Sequence, residues 1–257
     1  MKLVENKENF IFDLYGTLLD IRTDEVNQHL WGWLASVYND VGLDYEASEV
    51  RKKYHSLVKE KEEALSRELH TEYPEIELRD VFRDILQGHV PKEEKVEKWV
   101  ENIAFYFRLR SRLHFQVYPD SVPTLQKLRE MGKRIYLLSN AQNCFTMSEL
   151  EKSGLLNYFD EIYISSDYRV KKPAPEFMGK LLEEQRLNPE KTVMIGNDYS
   201  SDVASAGNYD MDSVFLNTDR YSKSERAKRL KKVKTKMNRE ITPYVIESGK
   251  LLEIFDL

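Results

Sequence analysis

The chain contains 257 residues, a length that allows one large domain or two modest ones. Hydrophobic residues make up 41% of it and charged residues 32%, which is typical of a water-soluble globular protein. The formal net charge of −5 argues against general nucleic-acid binding, and no stretch approaches the ~20 apolar residues of a membrane span.

The first predicted element is a buried strand in the stretch NFIFDLYGTLLD, which runs from Asn9 to Asp20. This strand leads into a turn and places one carboxylate, that of Asp13, at its end. Gly16 in the same stretch favours a tight turn directly after the carboxylate.

A series of helices is predicted to follow. Apolar residues recur at helical spacing from Thr23 to about Gly42, and again through ASEVRKKYHSLVKEKEEALSREL. A shorter repeat covers Val81 to Leu86, and Pro91 favours the start of a further helix. Residues 23 to about 112 are therefore predicted to be helical.

The second half of the chain alternates between two patterns. The short β-rich runs RIYLLSN, EIYISS, TVMIGND and SVFLNT are separated by helical patterns, which predicts a parallel sheet with helices on both faces. The run PYVIES is a candidate for an added edge strand. We predict an α/β fold, a three-layer Rossmann-like parallel sheet core with an all-helical cap domain. The core would comprise residues 1–19 and 115–257, and the cap would comprise residues 20–114.

Polar residues end several of the predicted strands. Asp13 ends the first strand, Ser139 and Asn140 end RIYLLSN, and Asn197 and Asp198 follow TVMIG. Because the carboxyl ends of parallel strands meet at one edge of a sheet, we expect these side chains to converge there on a ligand site.

Four short motifs carry a resemblance to a known family. The runs DLYGT, LLSN, VKKPAP and IGNDYSSD resemble, in order and placement, the motifs of the haloacid dehalogenase-like hydrolase superfamily, subfamily I type. The resemblance implies that a helical cap is inserted after the first motif, and that an aspartate attacks the substrate.

The resemblance assigns a role to each motif. Asp13 would be the nucleophile, because a carboxylate forms an ester or acyl phosphate that water can then attack. Thr17 would orient Asp13, while Ser139 and the Asn140 amide would donate to an anionic oxygen of the substrate. Lys172, which directly precedes Pro173, would neutralise the transferred group.

The neighbouring Lys171 is an alternative to Lys172 for the contact with the substrate. The sequence leaves this choice open, because the two lysines are adjacent in the same motif.

The last motif indicates a metal ion. Asp198 and Asp202 are one helical turn apart, and carboxylates that converge on one site repel each other unless a cation lies between them. The resemblance implies that Asp13, the Tyr15 backbone carbonyl and Asp198 bind Mg²⁺. Asp202 would assist as a ligand, through water, or by holding Lys172.

Tyr15 and the last motif favour different reactions. The phosphatase branch normally has an aspartate at the position of Tyr15, whereas the dehalogenase branch has a tyrosine there, because a departing halide needs no proton. Dehalogenases, however, have serine and asparagine where this chain has Asp198 and Tyr199, and a tyrosine at the position of Met178. The cap arginine that would bind a haloacid carboxylate could be Arg51.

We therefore predict an Asp13-dependent hydrolase, namely a Mg²⁺-dependent phosphatase that acts on a small phosphorylated metabolite. The alternatives are a metal-independent 2-haloacid dehalogenase, with Tyr15 and Arg51 as substrate contacts, and a non-hydrolytic phosphate-binding or regulatory protein. We expect no nucleic-acid or membrane partner, and either a monomer or a homodimer.

Two further features bear on location and ligands. The N-terminal residues lack the apolar core of a signal peptide, and the single cysteine, Cys144, forms no internal disulfide, so a cytoplasmic protein is expected. Residues 220–240 are densely basic. They are interpreted as a solvated charged helix or lid, with attraction of phosphate-bearing ligands or RNA as the alternative.

Overall fold

The central sheet is built around the strand that carries the first motif. The structure, a computed structural model, describes residues 2–89 and 93–257, and for residues 93–95 it describes the backbone alone. The strands of the main sheet are β1 (Asn9–Phe12), β4 (Arg134–Ser139), β5 (Glu161–Ile164), β6 (Thr192–Gly196), β7 (Asp212–Leu216) and β8 (Tyr244–Ile246). Their order is β5-β4-β1-β6-β7-β8, and every pairing is parallel. This confirms the predicted parallel sheet, with PYVIES as its edge strand.

The strands are buried on both faces of the sheet, which explains their nearly continuous apolar sequences. Phe10 and Phe12 of β1 pack with helices on one face, whereas Ile11 packs on the other face with Met178. Helices thus cover both sides, as the prediction of a three-layer α/β fold requires.

Eleven helices lie within the described part of the chain. They are α1 (Leu3–Asn6), α2 (Gln28–Asn39), α3 (Ala47–Leu69), α4 (Leu78–Ile85), α5 (Glu93–Ser111), α6 (Ser121–Glu130), α7 (Asn143–Ser153), α8 (Ser165–Tyr168), α9 (Pro175–Glu184), α10 (Ala204–Gly207) and α11 (Lys223–Met237). Short turns of 3-10 or π type complete the fold at Leu156–Tyr158, Pro189–Lys191, Tyr199–Val203 and Leu251–Asp256. None of the helices in the described ranges is long and apolar enough to cross a membrane.

Helices α2 to α5 form a block with an apolar core of its own, which we call the helical block. Trp31, Phe82 and Phe107 are fully buried in it, and the rings of Trp31 and Phe107 lie 5.6 Å apart. Phe145 of α7 joins the same cluster, so the block packs directly on the α/β core. All four helices were predicted from apolar spacing, although Pro91 lies outside the described residues.

The sequence did not predict the connection between the helical block and the core. The prediction made the chain helical from Thr23 to about residue 112, and at these two ends β2 (Leu19–Thr23) and β3 (Arg112–Val117) form an antiparallel ribbon that it did not include. The chain passes from the core to the helical block along β2 and returns along β3, and the two strands hydrogen-bond to each other. Pairing between segments this far apart leaves no signal in local periodicity. The predicted domain boundaries at 19/20 and 114/115 fall within this ribbon.

Candidate active site

The carboxylate of Asp13 lies at the carboxyl end of the central strand, and its side chain is largely buried. The backbone N–H of Asp13 donates to the Ile195 carbonyl at 2.9 Å, which extends the pairing with β6 by one residue. Asp13 Oδ1 accepts from Lys172 Nζ at 2.8 Å, and Oδ2 accepts from Thr17 Oγ1 at 3.2 Å. Each carboxylate oxygen therefore has a donor that fixes its orientation.

A tight turn positions Thr17 beneath the carboxylate. Gly16 has a φ of +82°, a conformation that side chains disfavour. The Asn197 amide nitrogen would lie 2.2 Å from a Cβ atom at this position, so a larger residue would also collide with the last motif. Thr218 Oγ1 donates to the Gly16 carbonyl at 2.6 Å and so links the turn to the end of β7.

Lys172 lies between two carboxylates. Its Nζ is 2.8 Å from Asp13 Oδ1 and 2.7 Å from Asp202 Oδ1, and all three side chains are nearly inaccessible to solvent. Burial alone would lower the pKa of Lys172, but the charges of Asp13 and Asp202 outweigh it and raise that pKa, so the amine stays protonated. Lys171 lies 3.9 Å from Glu62 and lines the same cavity as Lys172, but it makes no ion pair with Asp13 or Asp202 among the described residues.

Asp202 serves this lysine rather than an open site. Its Oδ2 accepts from the Asp198 N–H at 3.0 Å, while Oδ1 accepts from Lys172, so neither oxygen lacks a donor. Burial raises the pKa of Asp202, and the Lys172 ammonium opposes that rise. Of the three roles predicted for Asp202, the geometry matches the holding of Lys172.

Asn140 holds the backbone on which Lys172 stands. Its Nδ2 donates to the Lys172 carbonyl at 3.0 Å, and its Oδ1 accepts from the Lys172 N–H at 2.7 Å. The side-chain amide of Asn140 is thus engaged with Lys172, and donation by an Asn140 amide to the substrate stays a prediction. Ser139 differs, because its buried Oγ has no hydrogen-bond partner among the described residues, which leaves its hydroxyl proton available to a substrate oxygen.

Asp198 has one carboxylate oxygen engaged and one available. Oδ1 accepts from the Ser200 N–H and hydroxyl, both at 2.5 Å, and from the Ser201 N–H at 2.9 Å. Oδ2 accepts no hydrogen bond from any described residue, and the side chain is only half-buried. An open oxygen of this kind suits a hard cation.

Few protein groups at this site could serve as metal ligands. No group of three or more His, Cys, Asp or Glu side chains in the described ranges has the geometry of a metal site. The chain would contribute the carboxylates of Asp13 and Asp198 and the Tyr15 carbonyl. Because Mg²⁺ usually takes one or two protein carboxylates and keeps several waters, these residues fit Mg²⁺ better than a cation that needs a full protein cage.

The side chain of Tyr15 is held by a network that the sequence did not predict. Its hydroxyl donates to Glu149 Oε2 at 2.6 Å and lies 3.0 Å from Thr146 Oγ1. Glu149, which is buried, also accepts from Arg108 Nε at 2.9 Å, and the Arg112 guanidinium lies 3.6 Å away. The pKa of Tyr15 is raised mainly by burial and to a lesser extent by the Glu149 charge, so its phenol stays protonated.

Arg51 is not brought together with the strand-end residues. It lines a separate cavity of about 570 Å³ in the helical block, beside Trp31 and His55. A helical spacing places Arg51 on α3 but gives no information on which face of the block turns toward the sheet. Cys144 packs against the apolar core of the helical block, and burial raises the pKa of its thiol to about 12, which disfavours the reactive thiolate.

A cavity of about 840 Å³ reaches the site from the side of the last motif. Asn140, Lys172 and Asp198 form part of its wall, and residues of α11 form another part. The sequence placed α11 outside the motifs, so only the structure shows that it borders the same cavity.

A protein-family model matches most of the chain. Residues 8–210 match the model described as haloacid dehalogenase-like hydrolase. This range contains all four motifs and the whole helical block.

The curated relatives include enzymes of both reaction types. A glyceraldehyde 3-phosphate phosphatase of Methanothermobacter thermautotrophicus is 28% identical over 102 residues, which are 40% of this chain and 45% of that protein. An (S)-2-haloacid dehalogenase 4A of Burkholderia cepacia is 24% identical over 222 residues, which are 84% of this chain and 85% of that protein. The chain spans about half the length of the first curated relatives it matches, most of which are phosphatases.

Among solved structures, the 2-haloacid dehalogenase of Pseudomonas syringae pv. Tomato DC3000 superposes with a TM-score of 0.65. The two chains are 20% identical, and the match covers 97% of this chain and 98% of the other. At that identity the likeness concerns the fold, helical block included.

Proposed function

The chain belongs to the haloacid dehalogenase-like hydrolases, and from that premise we propose that it is a Mg²⁺-dependent phosphatase acting on a small phosphorylated metabolite. The single observation that carries the proposal is the half-buried Asp198 carboxylate, with one oxygen free, in the cavity wall that it shares with Lys172. An extra carboxylate would repel the anion of a haloacid. It becomes useful where a cation binds together with a phosphate group.

The residues of the site suit phosphoryl transfer in two steps. The Asp13 carboxylate attacks phosphorus, the bond from phosphorus to the leaving oxygen breaks, and an aspartyl phosphate forms. Water then attacks the same phosphorus, which releases inorganic phosphate and restores Asp13. Thr17 and Lys172 orient the carboxylate for the attack, because each donates to one of its oxygens before substrate binds.

The charges of the phosphate group need compensation from the site. Lys172 would donate to a phosphoryl oxygen as its contact with Asp13 is consumed, and Ser139 Oγ would donate a further proton. When bound, Mg²⁺ supplies the remaining positive charge, and Asp13, the Tyr15 carbonyl and Asp198 are the residues that would hold it.

The helical block, residues 20–114 in the predicted division, would act as the cap that covers the strand ends and excludes water. The β2–β3 ribbon is its connection to the core, and the contact of Arg108 with Glu149 ties the block to α7. A cytoplasmic location and a monomer or homodimer remain predictions.

A second candidate, 2-haloacid dehalogenation, is favoured by Tyr15 at the position where that branch has tyrosine, and by a dehalogenase relative that matches over most of its length. The Tyr15 hydroxyl, however, is engaged with Glu149. The geometry therefore gives that side chain a structural contact with α7 in either reaction.

One comparison separates the two candidates. The protein is assayed for phosphate release from p-nitrophenyl phosphate and for chloride release from 2-chloropropionate, each with Mg²⁺ and with chelator. We expect phosphate release that needs Mg²⁺ and no chloride release. Chloride release undiminished by chelator, with no phosphate release, would establish the dehalogenase instead.

A further inference from the structure

The basic C-terminal helix α11 lies against the candidate active site. Arg229, Lys232 and Lys236 are spaced at helical intervals along one side of α11, and all three line the 840 Å³ cavity together with Lys172 and Asp198. Val233 and Met237, on the same side of the helix, pack into an apolar cluster with Tyr199. The helix is thus anchored with its basic side facing the cavity.

These three cations differ in how they are neutralised. Lys236 Nζ lies 2.9 Å from the Glu72 carboxylate and 4.8 Å from the centre of the Tyr73 ring, so it joins α11 to the end of the helical block. Arg229 lies over the Tyr221 ring at 4.0 Å. Neither Arg229 nor Lys232 has a carboxylate within salt-bridge distance among the described residues.

The size of the cavity leaves room beyond a single phosphate group. Ligand pockets typically have volumes of about 300–1,000 Å³ and enclose molecules much larger than one phosphate group. The present cavity, at about 840 Å³, lies within that range. The scissile phosphate would take the end formed by Lys172 and Asp198, which leaves the end bordered by α11. That end presents positive charge in a protein whose net charge is −5, so the charge is a local property of this cavity.

We propose that Arg229 and Lys232 bind a second anionic group of the substrate, a carboxylate or a second phosphate, remote from the phosphate that is cleaved. This inference rests on the proposed phosphatase function and narrows its substrate class to phosphate esters with two anionic groups. The planar guanidinium of Arg229 matches either oxyanion through paired hydrogen bonds, and Lys232 adds a point charge.

A long nucleic-acid strand is the competing occupant of a basic helix. Such a strand would contact the exposed outer lysines of α11, Lys228 and Lys231, which do not line the cavity. A small substrate held inside the cavity would not contact Lys228 or Lys231. The two lysines therefore provide a matched control on the same helix.

The test compares substrates that differ by one anionic group. Glycerol 1-phosphate is paired with 3-phosphoglycerate for the carboxylate, and fructose 6-phosphate is paired with fructose 1,6-bisphosphate for the second phosphate. Wild type, R229Q/K232Q and K228Q/K231Q are compared on all four, with p-nitrophenyl phosphate as a reference that lacks a second anionic group.

We expect R229Q/K232Q to raise KM for at least one doubly anionic substrate by about tenfold, with kcat little changed, as the loss of charge-assisted contacts implies. The same variant should leave p-nitrophenyl phosphate and the singly anionic partner within about twofold, since they lack the group that is recognised. The preference of wild type should shrink as ionic strength rises, because exposed charges are screened.

Three results would overturn the proposal. One is an equal change in KM for both members of each pair, and another is an equal effect of K228Q/K231Q, which would indicate a long polyanion along the helix. The third is a wild-type protein without preference in either pair. If any of these results is obtained while p-nitrophenyl phosphate is still hydrolysed, the proposed phosphatase function stands and only the second anionic site is refuted. If none of the five substrates is hydrolysed, the phosphatase function itself has failed.

Discussion

The hydroxyl of Tyr15, which follows Asp13 by two residues, donates to Glu149 Oε2 at 2.6 Å. Glu149 also accepts from both Nε and Nη2 of Arg108, at 2.9 and 3.3 Å. The motif turn, α7 of the core and α5 of the helical block are thereby joined through one buried carboxylate. Tyr15 contributes a structural contact at the position where the resemblance to the phosphatase branch predicts an aspartate.

A strong dependence on the leaving group follows from this arrangement. The Tyr15 proton is directed at Glu149, and burial raises the pKa of Tyr15, so it does not protonate a departing alkoxide. We expect aryl phosphates to be hydrolysed faster than alkyl phosphates by a factor on the order of 10²–10⁴ in kcat/KM, the usual effect of a missing general acid. Steady-state rates on p-nitrophenyl phosphate and glycerol 1-phosphate measure it. Equal kcat/KM values for the two would show that a donor elsewhere acts as the acid.

Lys172 should be required for folding stability as well as for activity. Replacing it in K172M leaves the buried carboxylates of Asp13 and Asp202 without their cation, and breaking a buried ion pair typically costs about 3–5 kcal/mol. Urea unfolding near neutral pH measures the change in the free energy of unfolding. The matched control is K171M, which removes a partly exposed lysine 3.9 Å from Glu62 and should change stability by less than about 1 kcal/mol. Equal losses in the two variants would contradict the assignment.

Glu75 should make stability fall as pH rises through the weakly acidic range. It accepts from Ser165 Oγ at 3.0 Å and from Gln142 Nε2 at 2.8 Å, and burial raises the pKa of Glu75 above its ordinary value of 4.5 despite the opposing Lys171 charge. The folded protein then binds this proton more tightly than the unfolded chain does. The free energy of unfolding therefore decreases as pH rises from 4.5 through the raised pKa.

The variant E75Q removes this titration. Its stability relative to wild type, measured by urea unfolding at several pH values, should improve as pH rises from 4.5 through the raised pKa of Glu75. The control E63Q removes an exposed carboxylate and should show no such trend. A relative stability of E75Q that is constant, or that falls over this range, would contradict the raised pKa.

Asp198 should govern the affinity for Mg²⁺ in the absence of any substrate. Titration calorimetry of D198N with Mg²⁺ alone should show binding weaker by about tenfold or more, since one of few protein ligands loses its charge. The control D210N alters an exposed carboxylate whose one ion pair within residues 2–89 and 93–257 is with Arg239, and it should bind as wild type does. Unchanged affinity in D198N would remove Asp198 from the metal site, whatever the effect on turnover.

The sequence predicts the parts of this fold that depend on local pattern. The strands are short apolar runs, and α2 to α5 are long amphipathic repeats, so both leave a clear periodic signal. Parallel topology puts Asp13, Ser139 and Asp198 at one edge of the sheet once the strands are known, whereas Lys172, which ends no strand, was assigned to the site by the motif resemblance. Their catalytic roles are predictions that variants of these residues test.

The features that escaped prediction depend on contacts between distant segments. Nothing local to Leu19–Thr23 or Arg112–Val117 shows that these two crossings pair with each other. The same holds for Glu149, a glutamate in an ordinary helical pattern, and for the basic side of α11. Arg51, which the resemblance offered as a cap arginine, lines a different cavity, and its spacing on α3 did not indicate which way its side chain would face.

The most direct test of the central claim is the rate of phosphate release from p-nitrophenyl phosphate by D13N, compared with wild type in Mg²⁺. Asparagine has nearly the shape of aspartate and keeps an oxygen for Lys172, but it cannot form the aspartyl phosphate. We predict an intact fold by circular dichroism and a loss of kcat on the order of 10⁴-fold or more, as for other essential nucleophiles. A purified D13N protein that retains more than about 5% of the wild-type rate would contradict the account, because covalent catalysis requires the carboxylate itself.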